Sequence, residues 1–203
     1  EKSQSGTKTW LAVTVEYSLQ HLTTVNWGIS GRLLLDRQGL LINPNNPHLR
    51  KFYDDFLYDR RSHFSSGNDI QILSAVVSWV RQAITGDDYY VDYLSRNITS
   101  EALDFGDYFA ATRKGVCTHF ALFAGYLAER LRAEGFLPKD MDIAYARGPR
   151  HGWVFAKIPS NSAKPVIYVL DPAQRNEAVV LGDQVHSSGF GAHPYRHALE
   201  HSP

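Results

Sequence analysis

Cys117 is the only cysteine among 203 residues, and its neighbours make it a candidate nucleophile. It follows Arg113-Lys114-Gly115-Val116 and opens a run in which Phe120, Phe123, Ala124, Leu127 and Leu131 recur at intervals of three and four. Glu129, Arg130, Arg132 and Glu134 fall mostly opposite, the pattern of an amphipathic helix. Gly135 stands where a left-handed residue ends such a helix. Cys117 is therefore expected at the helix N-terminus, where free N–H groups and the helix dipole favour a thiolate. Arg113 and Lys114 would add to that field if they point toward it, and Gly115 permits a sharp entry into the helix. The N–H of Cys117 itself is a candidate oxyanion donor. The plain alternative is a small, inert residue starting a buried helix.

A thiolate that attacks a carbonyl needs a base and a proton donor, and imidazole serves as both near neutrality. Of nine histidines, His151 has the strongest context, because it opens the strand-like run His151-Gly152-Trp153-Val154-Phe155-Ala156. A period of two puts His151, Trp153 and Phe155 on one face. Burying the two aromatic rings against the Cys117 helix would carry His151 to the helix start. Asp171 ends the run Val166-Ile167-Tyr168-Val169-Leu170, and Pro172 stops it. Ile167, Val169 and Asp171 share a face, so the carboxylate continues an apolar row and needs a partner. An imidazole on the adjacent strand would be that partner, and the carboxylate would fix its tautomer. Alone, an Asp before Pro is an ordinary turn residue; the argument rests on the three residues together.

Other elements must hold these three in place. Thr9 to Val15 reads as a strand, and Gly28 to Ile42 as short strands joined by a turn. Asn43-Pro44-Asn45-Asn46-Pro47 is a break that can cap a helix over His48 to Arg60. His63 to Gly67 is a second break. Asp69 is the expected N-cap of a helix carrying Ile72, Leu73, Val76, Val77, Val80 and Ile84 on one face, with Gly86 ending it. Tyr89 to Leu94 and Ala102 to Ala111 read as shorter helices that bury Tyr and Phe. After Gly135 the period changes: Ile143 to Arg147, Trp153 to Ile158, Val166 to Leu170 and Ala178 to Leu181 read as strands. Helices followed by consecutive strands imply an α+β fold with an antiparallel sheet.

The ordered set Gly115-Val116-Cys117-Thr118-His119-Phe120-Ala121, then His151-Gly152-Trp153-Val154, then Leu170-Asp171-Pro172 resembles the transglutaminase-like superfamily of papain-like cysteine enzymes. In that family a Cys opens a core helix, and His and Asp follow on consecutive strands of an antiparallel sheet. The likeness covers roughly residues 69–172, and the helix from Asp69 to Ile84 resembles the one that precedes the nucleophile. Thr118 and His119 depart from the small and acidic residues common after the Cys, and Gly152 from the Ala common after the His. The resemblance implies Cys117 as nucleophile, His151 as acid and base, and Asp171 as its orienter, with no metal or organic cofactor. Thr118, His119 and Trp153 are the further candidates for substrate binding or oxyanion stabilisation. A thioester intermediate would pass to water in a protease, isopeptidase or deamidase, or to an amine in a cross-linking acyltransferase. A protein or peptide substrate is implied either way.

Other readings remain beside this one: a binding module that keeps the fold without catalysis, and a secreted bacterial effector or toxin domain. His119, two positions after Cys117, fits a surface helix position as well as a substrate contact. His193, His197 and His201 have ligand-like spacing, but Gly189, Gly191 and Pro194 weaken the helix that would align them. Tyr89, Tyr90, Tyr93 and Tyr108 fit a binding cleft or, more simply, core packing.

Composition sets outer limits. Hydrophobic residues make up 43%, and 21 basic residues balance 21 acidic ones, so no bulk field favours nucleic acid or anionic membrane. No apolar stretch is long enough for a transmembrane helix. The start at Glu1 fits a cleaved leader or an excised fragment equally, and a soluble protein of either cytoplasmic or secreted origin is expected. The organisation expected is a mixed N-terminal extension over 1–66 for specificity or docking, a catalytic core over 67–183, and a polar tail over 184–203.

Overall fold

The computed structural model describes residues 24–27, 31–35, 38–64, 67–98, 102–147, 151–158, 165–174 and 179–180. The strand expected over Thr9 to Val15, the polar tail and the three spaced histidines lie outside these residues. The elements in chain order are β1 (Thr24–Trp27), β2 (Gly31–Leu35), β3 (Gln38–Ile42), α1 (Pro47–Arg60), α2 (Asp69–Ala83), β4 (Thr85–Gly86), α3 (Asp88–Asn97) and β5 (Ala102–Asp104). A π-helical turn (Gly106–Ala110) follows, then β6 (Lys114–Gly115), α4 (Cys117–Ala133), β7 (Asp142–Arg147), β8 (Gly152–Ile158), β9 (Val166–Leu170) and β10 (Val179–Val180). The mixture of helix and strand agrees with the α+β expectation.

Side chains set most helix ends. Asn46 Oδ1 accepts from His48 N at 2.9 Å, and Pro47 occupies the first turn of α1, where its missing N–H costs nothing. The cap of α2 is Asn68 rather than Asp69: Asn68 Oδ1 accepts from Gln71 N, and Gln71 Oε1 accepts from Asn68 N, each at 3.1 Å. Gly135, at φ +84°, ends α4, with its N–H on Arg132 O and the Phe136 N–H on Leu131 O. Both bonds belong to a Schellman motif.

Two expected helical features resolve differently. Ala102–Asp104 is a strand, because it pairs in parallel with β3, from Gly39↔Ala102 to Leu41↔Asp104. The Asp104 carboxylate then accepts from Gly106 N and Asp107 N and converts the strand into the π-helical turn. Likewise α2 ends at Ala83, and Gly86 belongs to a short parallel pair with Gly115. Neither partner is local in sequence, so local propensity is overridden. On α3, Tyr89 is 90% and Tyr93 61% exposed, outside the core expected for them; Tyr90 is half-buried and donates to Tyr108 O at 2.6 Å.

The main sheet has the order β1-β7-β8-β9-β10, antiparallel throughout. Helix α4 lies across β7 and β8, and α2 packs on α4. Phe52 of α1 stacks on Phe123 of α4 at 4.4 Å and meets Trp79 of α2 edge-on at 4.7 Å. Elements from both sides of residue 66 thus share one core, and β1 joins the same sheet, so a division at 66 does not separate two cores.

Ile143, Tyr145, Val154, Ala156 and Leu170 join the core that contains α4, whereas Ala144, Ala146, Trp153, Phe155 and Val169 form a second buried cluster on the other sheet face. Trp153 and Phe155 therefore point away from the Cys117 helix, contrary to expectation. Among the described residues no helix is long and apolar enough to cross a membrane.

Candidate active site

Helix α4 begins at Cys117 with Val116 as its cap residue, and valine has no side-chain acceptor for the first N–H groups. Two substitutes serve instead. His119 Nδ1 accepts from Val116 N at 3.1 Å, and the Cys117 sulfur accepts from the backbone N–H groups of Thr118 and Gly152. The apolar cap leaves the Thr118 N–H to the thiol. Gly115 sits tightly beneath this turn: a Cβ there would stand 2.5 Å from His119 Cβ. Space for the His119 ring, not backbone freedom, requires glycine at 115.

His119 is not at the surface. It is 5% exposed, and its ring stacks on Phe109 at 4.0 Å. Burial pushes its pKa down to about 3, so the ring is neutral and Nδ1 stays free to accept. Arg113 and Lys114 are engaged elsewhere as well. Arg113 pairs with Asp55 at 2.6 Å over the Phe52 and Trp79 rings, and Lys114 pairs with Asp87 at 2.9 Å. Each cation is thus offset by its own carboxylate, and the leading influences on the thiol are burial, His151 and two backbone N–H groups instead.

The helix start rests on the start of β8. Gly152 faces α4 so closely that a Cβ on it would lie 3.3 Å from Thr118 Cα. His151 immediately precedes the strand, and its side chain hydrogen-bonds Cys117. It reaches the sulfur from the strand end, its ring lying 6.0 Å from that of Trp153 at 26°. This is how Trp153 can turn away from α4 while His151 still meets Cys117.

On the neighbouring strand, the last ladder pair is Val154↔Leu170, and Asp171 comes next, 6% exposed. His151 Nε2 donates to Asp171 Oδ2 at 2.6 Å. An ionised carboxylate only accepts, so Nε2 carries the proton, and Nδ1 is the nitrogen left to face the thiol.

The electrostatics follow from this chain of contacts. Burial raises the Cys117 thiol, but the His151 hydrogen bond and charge, with the Gly152 and Thr118 N–H groups, outweigh it and bring it below its ordinary 9.0. For His151, burial disfavours the cation, while Asp171 and then Cys117 favour it, giving about 9. A lowered thiol beside a raised imidazole shifts the balance toward a thiolate–imidazolium pair.

The structure thus brings Cys117, His151 and Asp171 together. Thr118 contributes its N–H to the sulfur, while its Oγ1 accepts from Tyr145 Oη at 3.5 Å. Trp153 is buried beside His151, and His119 lies inside the fold. The Gly152 N–H escaped sequence reasoning, because a backbone donor leaves no residue-type signal. Among the described residues no group of three or more His, Cys, Asp or Glu is placed to hold a metal ion. Compared with family models, curated proteins and solved structures, the chain matches none.

Proposed function

We propose that this chain is a cysteine-dependent enzyme of the transglutaminase-like kind, acting on peptide or side-chain amide bonds through a thioester. The observation that carries the reading is His151, whose imidazole bonds the helix-terminal Cys117 on one side and the buried Asp171 carboxylate on the other.

In this mechanism the Cys117 thiolate attacks the amide carbon and the carbonyl oxygen becomes an oxyanion. Helix-terminal N–H groups suit that charge. His151 Nδ1–H protonates the departing nitrogen, the C–N bond breaks, and a thioester remains. Neutral Nδ1 then takes a proton from water or an amine as it attacks, and the thiolate leaves. Asp171 holds Nε2–H throughout, fixing the ring and stabilising the imidazolium.

The test is the pH dependence of Cys117 alkylation by iodoacetamide in the parent and in His151→Ala. The expected result is a parent thiol that reacts well below its ordinary range and a variant that has lost this advantage. Incubation with glutamine-containing peptides, with and without hydroxylamine, then reads ammonia release and the acceptor used. A thiol titrating normally in both proteins would sink the reading in favour of a non-catalytic module.

A further inference from the structure

We propose that Arg81 is a positioning residue for Asp171: its guanidinium, reaching from the last turn of α2, fixes the Asp171–Gln174 turn and through it the carboxylate that holds His151. The inference rests on the reading of Cys117, His151 and Asp171 as one reacting group.

Asp171 stands where the sheet no longer holds the chain. It lies one residue past the last β8–β9 ladder pair, and the following Pro172 has no N–H to offer a neighbouring strand. A turn takes over, with Gln174 N donating to Asp171 O at 3.2 Å. Arg81 ties that turn down from outside, with Nε donating to Pro172 O at 3.3 Å and Nη2 to Gln174 O at 2.6 Å. Its own helix is anchored by Val76, Val77 and Val80, all fully buried. Rigid packing is thus transmitted to the segment that sets where the Asp171 carboxylate points.

Two donors in a planar fork are needed to span two carbonyls, and arginine supplies them where lysine offers a single point charge. The plainer role for a cation here is to complement the C-terminal end of the α2 dipole. Lysine would serve that role equally, and it would leave the reactivity of a thiol on another element unchanged. Arg81→Lys therefore separates the two.

The experiment compares Arg81→Lys and Arg81→Ala with the parent as full chains. Thermal unfolding and near-ultraviolet circular dichroism check the fold, and the pH profile of Cys117 alkylation by iodoacetamide reads the site. Both variants are expected to fold and to shift the thiol titration upward. Alkylation at pH 7 should fall about tenfold to a hundredfold, the usual scale for a small misplacement of a reacting group. Ethylguanidinium should partly restore Arg81→Ala and leave Arg81→Lys unmoved. Parent-like profiles in both folded variants would overturn the proposal while leaving the site reading intact. Loss of fold even in Arg81→Lys would make Arg81 a stability residue and overturn it too. A parent thiol that titrates normally is a different failure, that of the site reading itself.

Discussion

Gly152 meets Thr118 so closely that a side chain at 152 would be crowded against the helix backbone. A Cβ at 152 would stand 3.3 Å from Thr118 Cα and 2.8 Å from the Oη of the fully buried Tyr145. This contact seats the start of α4 on the start of β8 and lets the Gly152 N–H reach the Cys117 sulfur. Gly152→Ala should lose about 1–3 kcal/mol of stability through overpacking. Thiol reactivity should fall further than that loss explains, because the helix start must lift. Urea denaturation and alkylation rates, measured side by side, check both parts.

The Cys117–His151 pair should give an activity profile with an acid limb below the ordinary thiol value and a basic limb near pH 9. The acid limb is protonation of the thiolate, and the basic limb is loss of the imidazolium proton. The stability effect has a definite sign. His151 binds its proton more tightly when folded, about 9 against 6.5. Its contribution is therefore full below about pH 6.5 and lost as pH rises through about 9. The unfolding free energy of the parent relative to His151→Gln should narrow over that window; a constant gap from pH 6 to 9.5 would contradict it.

Asp171→Asn should fold but, like the Arg81 variants, titrate its thiol higher than the parent, and it should lose about a hundredfold to ten-thousandfold in turnover, because an amide can hold the wrong imidazole tautomer. Cys117→Ala should abolish turnover outright. Comparing turnover with circular dichroism in both variants separates chemistry from folding.

His119 should respond to pH in the opposite sense to His151. Its folded pKa is about 3, well below the ordinary 6.5. The stability tied to its neutral form is complete above pH 6.5 and drains away as pH falls toward 3. His119→Gln removes the ionisation, so acid destabilisation should be shallower in the variant than in the parent. Thermal melts from pH 7 down to pH 4 read the difference directly; parallel curves would show that the His119 ring is not buried as neutral imidazole.

Much of this arrangement was legible because it is local. The three- and four-residue spacing after Cys117 and the glycine at 135 delimit α4, since helix periodicity and a left-handed cap depend on neighbours in the chain. The same holds for α1 behind Asn46 and Pro47. Alternation along β8 and β9 correctly grouped Trp153 with Phe155, and Ile167 with Val169. What alternation cannot say is which face meets the helix, because a period of two is unchanged when a strand is turned over. Only packing decides that Val154 and Ala156 face α4 while Trp153 and Phe155 face away. A related limit explains β5, whose helix-like local sequence is overridden by pairing with β3, and β1, whose partner β7 lies over a hundred residues along the chain. It also explains His119, whose polarity suits a surface but whose ring has a place between Gly115 and Phe109. Sequence alone determined which residue types were available for the chemistry and the local elements that carry them. Tertiary structure decided the contacts between those elements, because distances across a fold come from packing that no local window contains.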